Sequence, residues 1–220
     1  MNKPKIFIAC DTNNLTRVKK IINQTRSNKI KIGYKFGLEF MNSRNGRKFI
    51  SKLKNKIIFV DLKLNDTVNT MISTVKALKD IKINYLTVHI SSGFAALKAV
   101  KKISGQTKII GVTTLTSLNN KDLKLIGYNK SVTNLVTHQA KLAKKANLDA
   151  LVCSPYEVRA VRKIFKKEII TPGVQMGKRN YDQKRSMEVK KVKSDWLVIG
   201  RAITKGNIKK NIQNLYNELR

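Results

Sequence analysis

The sequence predicts a (β/α)8 barrel, with all 220 residues (1–220) in a single catalytic domain. Three observations carry that expectation. Eight short runs of apolar and β-branched residues recur along the chain, and most are apolar on both faces, as strands of a buried parallel sheet are. Segments with helical spacing separate them, and eight such units in so short a chain fit a closed barrel better than an open doubly wound sheet. The turn after the first run, CDTNNL, also lacks the GxGxxG that marks a dinucleotide-binding open sheet.

In chain order, the first run is KIFIACD (5–11), and the apolar spacing over 15–22 predicts the helix that returns it. IKIGYKFG (30–37) is the second strand, followed by a helix over 49–53. IIFVDLK (57–63) is the third, with a helix over 68–78, and INYLTVHI (83–90) is the fourth, with a helix over 95–103. KIIGVTTL (108–115) precedes a long helix over 135–146, and LDALVCS (148–154) precedes one over 158–165. EIITPGV (168–174) leads into a long polar loop, 174–181, and DWLVIGR (195–201) is the last strand before a helix over 208–219.

Composition narrows the class. With 41% hydrophobic and 27% charged residues the chain reads as a soluble globular protein, and no apolar run approaches the roughly 18 residues of a membrane span. The first residues reach a strand-like run at once, with no apolar leader, so a cytoplasmic chain is expected. Cys10 and Cys153 lie inside apolar runs and are expected to be buried thiols rather than a disulfide. The formal charge of +33 invites a nucleic-acid partner, but the lysines are dispersed and aromatics are only 6%, so a stacking platform for single strands is missing. A solvated basic surface, equally consistent with a compositional bias towards Lys, Asn and Ile, is the expected reading.

In a barrel the chemistry sits at the C-terminal ends of the strands. There the sequence places Asp11, Lys35, Asp61 with Lys63, His89, Thr114 with Thr116, Ser154, Pro172 with Gly173, and Gly200 with Arg201. Side chains alternate along a strand, so Asp61 and Lys63 face the same way with Cα atoms ~6.6 Å apart. Isolated buried charges are costly, so Lys35, Asp61 and Lys63 are expected to form a mutually neutralising cluster, with Asp66 just beyond. His89 is expected to be a hydrogen-bonded structural histidine and His138 an exposed one. With two histidines and no Cys-x-x-Cys, no transition-metal site is expected.

The stretch DLKLNDTVNT (61–70) resembles the Asp-x-Lys-x-x-Asp-Ile-Pro-Asn-Thr signature of the orotidine 5′-phosphate decarboxylase family. KFGLEF, VTTLTS, VCS, TPGV, DQKR and VIGRAIT occur in that family's order and approximate spacing, so the resemblance covers essentially the whole chain. It implies cofactor-free decarboxylation of orotidine 5′-monophosphate to UMP in pyrimidine synthesis, with no metal. It also implies a Lys35–Asp61–Lys63–Asp66 array in which Lys63 protonates C6. Asp66 and Thr70 are implied to reach the partner's site across a homodimer. By the same resemblance Asp11 and Lys35 bind ribose hydroxyls, Thr116 the pyrimidine edge, Pro172 the substrate, and Gln183, Gly200 and Arg201 the phosphate, beneath a loop (174–181) that closes over the nucleotide.

Five positions depart from the family pattern: Asn65 stands where His is common, Thr67 where Ile is, Val68 where Pro is, Gln175 where Arg is and Ala202 where Pro is. Thr67 matters most, because the resemblance places an apolar side chain there, near the leaving carboxylate. Two other readings stay open. The sugar-phosphate branch of the same superfamily shares Asp-x-Lys-x-x-Asp but uses Mg²⁺ and carries an acid where Lys35 stands, and a nucleic-acid-binding barrel is the reading the charge alone suggests.

Overall fold

Strand alternation decides which side chains fill the ring and which meet the helices. The computed structural model describes residues 4–176 and 187–219. Eight parallel strands close into a barrel: β1 (Lys5–Ala9), β2 (Lys31–Gly37), β3 (Ile57–Leu64), β4 (Tyr85–His89), β5 (Lys108–Val112), β6 (Ala150–Val152), β7 (Glu168–Thr171) and, last in the chain, β10 (Trp196–Ile199). Their order around the ring is the chain order, with β10 closing on β1 through Phe7 opposite Val198.

Phe7, Phe59, Tyr85, Ile110, Ala150, Ile170 and Trp196 form one buried cluster inside the ring. Phe7 stacks on Trp196 with ring centroids 4.1 Å apart and meets Phe59 edge-on at 4.9 Å. Gly33 on β2 makes room for this layer, since a Cβ there would lie 2.6 Å from the Phe7 ring. The alternate residues, such as Ile6, Ile8, Val60 and Leu86, belong to a second cluster shared with the helices. Burying each such side chain contributes about 1.5–3 kcal/mol.

The helices are α1 (Leu15–Gln24), α2 (Leu38–Met41), α3 (Gly46–Ser51), α4 (Val68–Ala77), α5 (Phe94–Ile103), α6 (Asn120–Leu125), α7 (Val132–Lys145), α8 (Val158–Ile164), α9 (Arg201–Thr204) and α10 (Ile208–Leu219). Their starts are chemically specified where a side chain can accept an orphan N–H: Asn14 caps α1, Ser131 caps α7, and Asn119 with Asp122 forms a capping box on α6. The seven expected helices are all present. The short α2, α6 and α9 were not expected. Two further strands, β8 (Val174–Gln175) and β9 (Met187–Glu188), pair with each other outside the barrel.

At the N-terminal ends of the strands one device recurs. Asn84, Asp149 and Asp195 each precede a strand and grip the start of the strand before it. The Ile58 N–H donates to Asn84 Oδ1 at 2.8 Å, Ile109 N–H to Asp149 Oδ2 at 2.8 Å and Ile169 N–H to Asp195 Oδ2 at 2.7 Å. Each of the three returns its own N–H to the carbonyl of the same isoleucine, at 2.9–3.0 Å. Lys101 neutralises Asp149 at 2.7 Å, and Arg162 pairs with Asp195. No helix among the described residues is long and apolar enough to cross a membrane.

Candidate active site

The opposite ends of the strands surround a cavity of about 360 Å³. Its apolar walls come from Val112, Val152 and Val198, and Phe59 of the aromatic plug also lines it. Its charged wall is built by the first three strands. Asp61 follows Phe59 by two residues on β3 and so faces inward; Lys35 does the same on β2, and Asp11 follows β1.

These side chains form a continuous chain of opposite charges. Lys35 Nζ lies 2.9 Å from Asp11 Oδ1 and 3.4 Å from Asp61 Oδ2, and Lys63 Nζ lies 2.9 Å from the same Asp61 oxygen. Asp61 is 7% exposed. Burial disfavours its charged form, but Lys35 and Lys63 outweigh that and hold the carboxyl below its ordinary value. Burial likewise works against the Lys35 ammonium, and Asp61 and then Asp11 overcome it, so the pKa of Lys35 is raised. Both groups therefore stay ionised at neutral pH. Cys10, buried beside this wall as a free thiol as expected, has its pKa pushed up to about 12 by burial and then by Asp11.

Simple alternation does not fully describe β3. Lys63 has a φ of 50°, in the left-handed region, and the β3–β4 register slips there: Val60 pairs with Leu86, but Leu64 pairs with Val88. Three residues, Asp61, Leu62 and Lys63, thus stand opposite the single residue Thr87. The Thr87 hydroxyl donates to Asp61 Oδ1 at 3.0 Å and accepts the Lys63 N–H at 2.9 Å.

Of the other expected residues, Thr116, Pro172, Gly200 and Arg201 line the cavity. Gly173, at φ 74°, supplies the left-handed turn after Pro172, and its carbonyl accepts the Met187 N–H at 3.1 Å. Asp66 and Thr70 are exposed and do not line this cavity. Asp66 Oδ1 accepts the Thr67 N–H at 2.7 Å, which lowers its pKa, and the Thr67 and Thr70 hydroxyls are 3.1 Å apart. Thr67, too, is outside the cavity of its own chain. Gln183 and most of the loop expected to close lie outside the described residues. Ser154 is buried without lining the cavity. His138 is exposed, as expected.

His89 corrects an expectation: it is half-buried, and its side chain makes no hydrogen bond among the described residues. Burial, followed by the Lys63 charge, lowers its pKa. Two site-building residues were missed. Thr87 was discoverable as the one small polar residue on the inward face of Tyr85 and His89. Gln139 was not, since it occupies a position in the buried stripe of α7; its Oε1 accepts the Thr114 N–H at 2.8 Å and its hydroxyl at 3.2 Å, fixing the β5 end beside Thr116.

Comparison with known proteins agrees with this fold and identifies the family. The profile of the orotidine 5′-phosphate decarboxylase/HUMPS family matches residues 4–212. The orotidine 5′-phosphate decarboxylase of Wolbachia sp. subsp. Brugia malayi (strain TRS) is 40% identical over 220 aligned residues, covering 96% of each chain. That of Buchnera aphidicola subsp. Acyrthosiphon pisum (strain Tuc7) is 38% identical, covering 94% of this chain and 92% of the relative. The crystal structure of orotidine 5′-phosphate decarboxylase from Lactobacillus acidophilus superposes with a TM-score of 0.83 at 28% identity, covering 100% of both chains.

Proposed function

The chain belongs to the orotidine 5′-phosphate decarboxylase/HUMPS family, and from that premise we propose that it is a carboxy-lyase converting orotidine 5′-monophosphate to UMP and CO₂ in pyrimidine biosynthesis. The observation that carries the reading is the Asp11–Lys35–Asp61–Lys63 chain of charges on one wall of the cavity. It suits a reaction that leaves an electron pair on a ring carbon with no electron sink.

In this reading the C6–carboxylate bond breaks, CO₂ departs, and the pair left on C6 takes a proton from the Lys63 ammonium, which water later replaces. A preorganised ammonium at the developing charge stabilises the transition state without the reorganisation that water would need. Asp61 holds Lys63 and faces the substrate carboxylate. Asp11 and Lys35 take the ribose hydroxyls, Thr116 the pyrimidine edge and Pro172 one side of the substrate. Arg201 and Gly200, with Gln183, take the phosphate, Arg201 by planar charge-assisted pairing. The single barrel domain is the catalytic unit, and the loop after β7 closes over the nucleotide.

Asp66 and Thr70 complete the site of a partner subunit in a homodimer. What supports this is their exposure at the start of α4, three and seven residues beyond Lys63 yet outside their own chain's cavity. The metal-dependent sugar-phosphate reading fits less well, because Asp11 and Asp61 are each already engaged by an ammonium. The test is the loss of orotidylate absorbance on adding purified protein with EDTA present. Stoichiometric UMP supports the reading, and no turnover by folded protein overturns it.

A further inference from the structure

We infer that Thr87 is a positioning residue for the decarboxylation, its one hydroxyl fixing both the Asp61 carboxylate and the backbone of Lys63. The inference rests on the proposed reading of the site and goes beyond it. Thr87 is 0% exposed and does not line the cavity, so it acts only through its neighbours.

The bulge in β3 creates the need for such a residue. With three residues opposite one, the ladder between β3 and β4 is interrupted from Val60 to Leu64, and backbone groups in that interval lose their usual partners. The Thr87 hydroxyl stands in for the ladder by accepting the Lys63 N–H at 2.9 Å. That contact holds Lys63 in the left-handed conformation a lysine otherwise disfavours.

A hydroxyl has one proton to give, and here it goes to Asp61 Oδ1 at 3.0 Å. With Oδ1 committed, Oδ2 is the oxygen turned towards both ammonium groups, 2.9 Å from Lys63 and 3.4 Å from Lys35. One side chain thereby fixes the Lys63 main chain and the carboxylate that anchors its tip. Threonine suits the role because its branched Cβ restricts χ1 in a strand.

The experiment compares Thr87→Val, Thr87→Ser and wild type by steady-state decarboxylation and UMP binding, with folding checked by circular dichroism. Thr87→Val keeps the shape but leaves the Lys63 N–H unpaired and frees the Asp61 carboxylate. Its kcat is expected to fall by about 10²-fold, the scale of an ~1 Å misplacement at a reacting centre. KM and UMP affinity should change less than about threefold, because the phosphate contacts are untouched and Asp11 still holds Lys35. Thr87→Ser should recover most of kcat.

A folded Thr87→Val with wild-type kcat, or a Thr87→Ser as impaired as Thr87→Val, overturns the inference. So does a loss confined to KM. If Thr87→Val does not fold, Thr87→Ala against Thr87→Ser decides: kcat lost in the first and kept in the second supports the role, and equal values refute it. A wild-type protein that turns over no orotidylate defeats the functional reading instead, a result separable from all of these.

Discussion

Replacing Lys63 by Ala and by Gly separates its backbone from its charge. Both variants lose the ammonium and its contact with Asp61 equally, so their difference in stability reports the main chain alone. At an ordinary strand position Gly is less stable than Ala by roughly 0.5–1 kcal/mol, through its greater loss of chain entropy. At φ 50° the balance changes, because the left-handed region costs a residue with a Cβ roughly 1–2 kcal/mol and costs Gly almost nothing. Taking the middle of each range, about 1.5 less about 0.75, leaves Lys63→Gly more stable than Lys63→Ala by about 0.75 kcal/mol. For a chain of this size that is a Tm difference of about 1–4 °C. Thermal unfolding followed by circular dichroism at matched protein concentration measures it. Equal Tm values, or Ala above Gly, would show that the bulge relaxes once the ammonium is gone and would refute the claim that the backbone imposes the conformation.

Three other outcomes are expected. His89 has its pKa lowered by burial and then by Lys63, so the unfolded chain takes up its proton first as the pH falls. The stability contributed by neutral His89 is complete above the ordinary value of 6.5 and is lost as the pH drops from there towards the folded value. Between about pH 7.5 and about pH 5 the wild type should therefore lose more Tm than His89→Gln, and parallel curves would remove His89 as the cause. Mixing the inactive Lys63→Ala and Asp66→Asn chains should restore about a quarter of wild-type activity, since half of randomly assorted dimers are mixed and each has one intact site; no recovery after exchange rules out the shared site. Finally, the +33 charge should draw the trianionic nucleotide inward, so kcat/KM should fall steeply as salt rises from about 0.02 M to about 0.3 M, whereas a flat profile means no steering.

Local pattern revealed the barrel because most strands are apolar on both faces and each long helix is apolar on one, signals that need no knowledge of neighbours. It also revealed the charged wall, since Asp61 and Lys63 interrupt an apolar run where nothing structural calls for charge. Contacts made across strands were hidden. The slip that sets Lys63 in the left-handed region depends on how β3 meets β4, and nothing in IIFVDLKL alone requires it. Gln139 reads as one polar residue in an amphipathic helix until α7 is laid beside β5. Asp66 and Thr70 were flagged by motif, yet the chain leaves them exposed and outside its own cavity, and the shared site proposed for them would be a property of two chains rather than of one sequence.

The reciprocal grips of Asn84, Asp149 and Asp195 divide the ring into uneven seams. Each joins two consecutive strands, β3 with β4, β5 with β6, and β7 with β10, over 26, 40 and 26 residues of sequence. The barrel is thus stitched as a series of doublets. New chain ends cut between doublets, in the connection from β4 to β5, leave every stitch inside a continuous segment. Ends cut between β3 and β4 or between β5 and β6 turn one into a contact between distant parts of the chain. A circular permutant opened at the first kind of seam should refold more readily than one opened at the second.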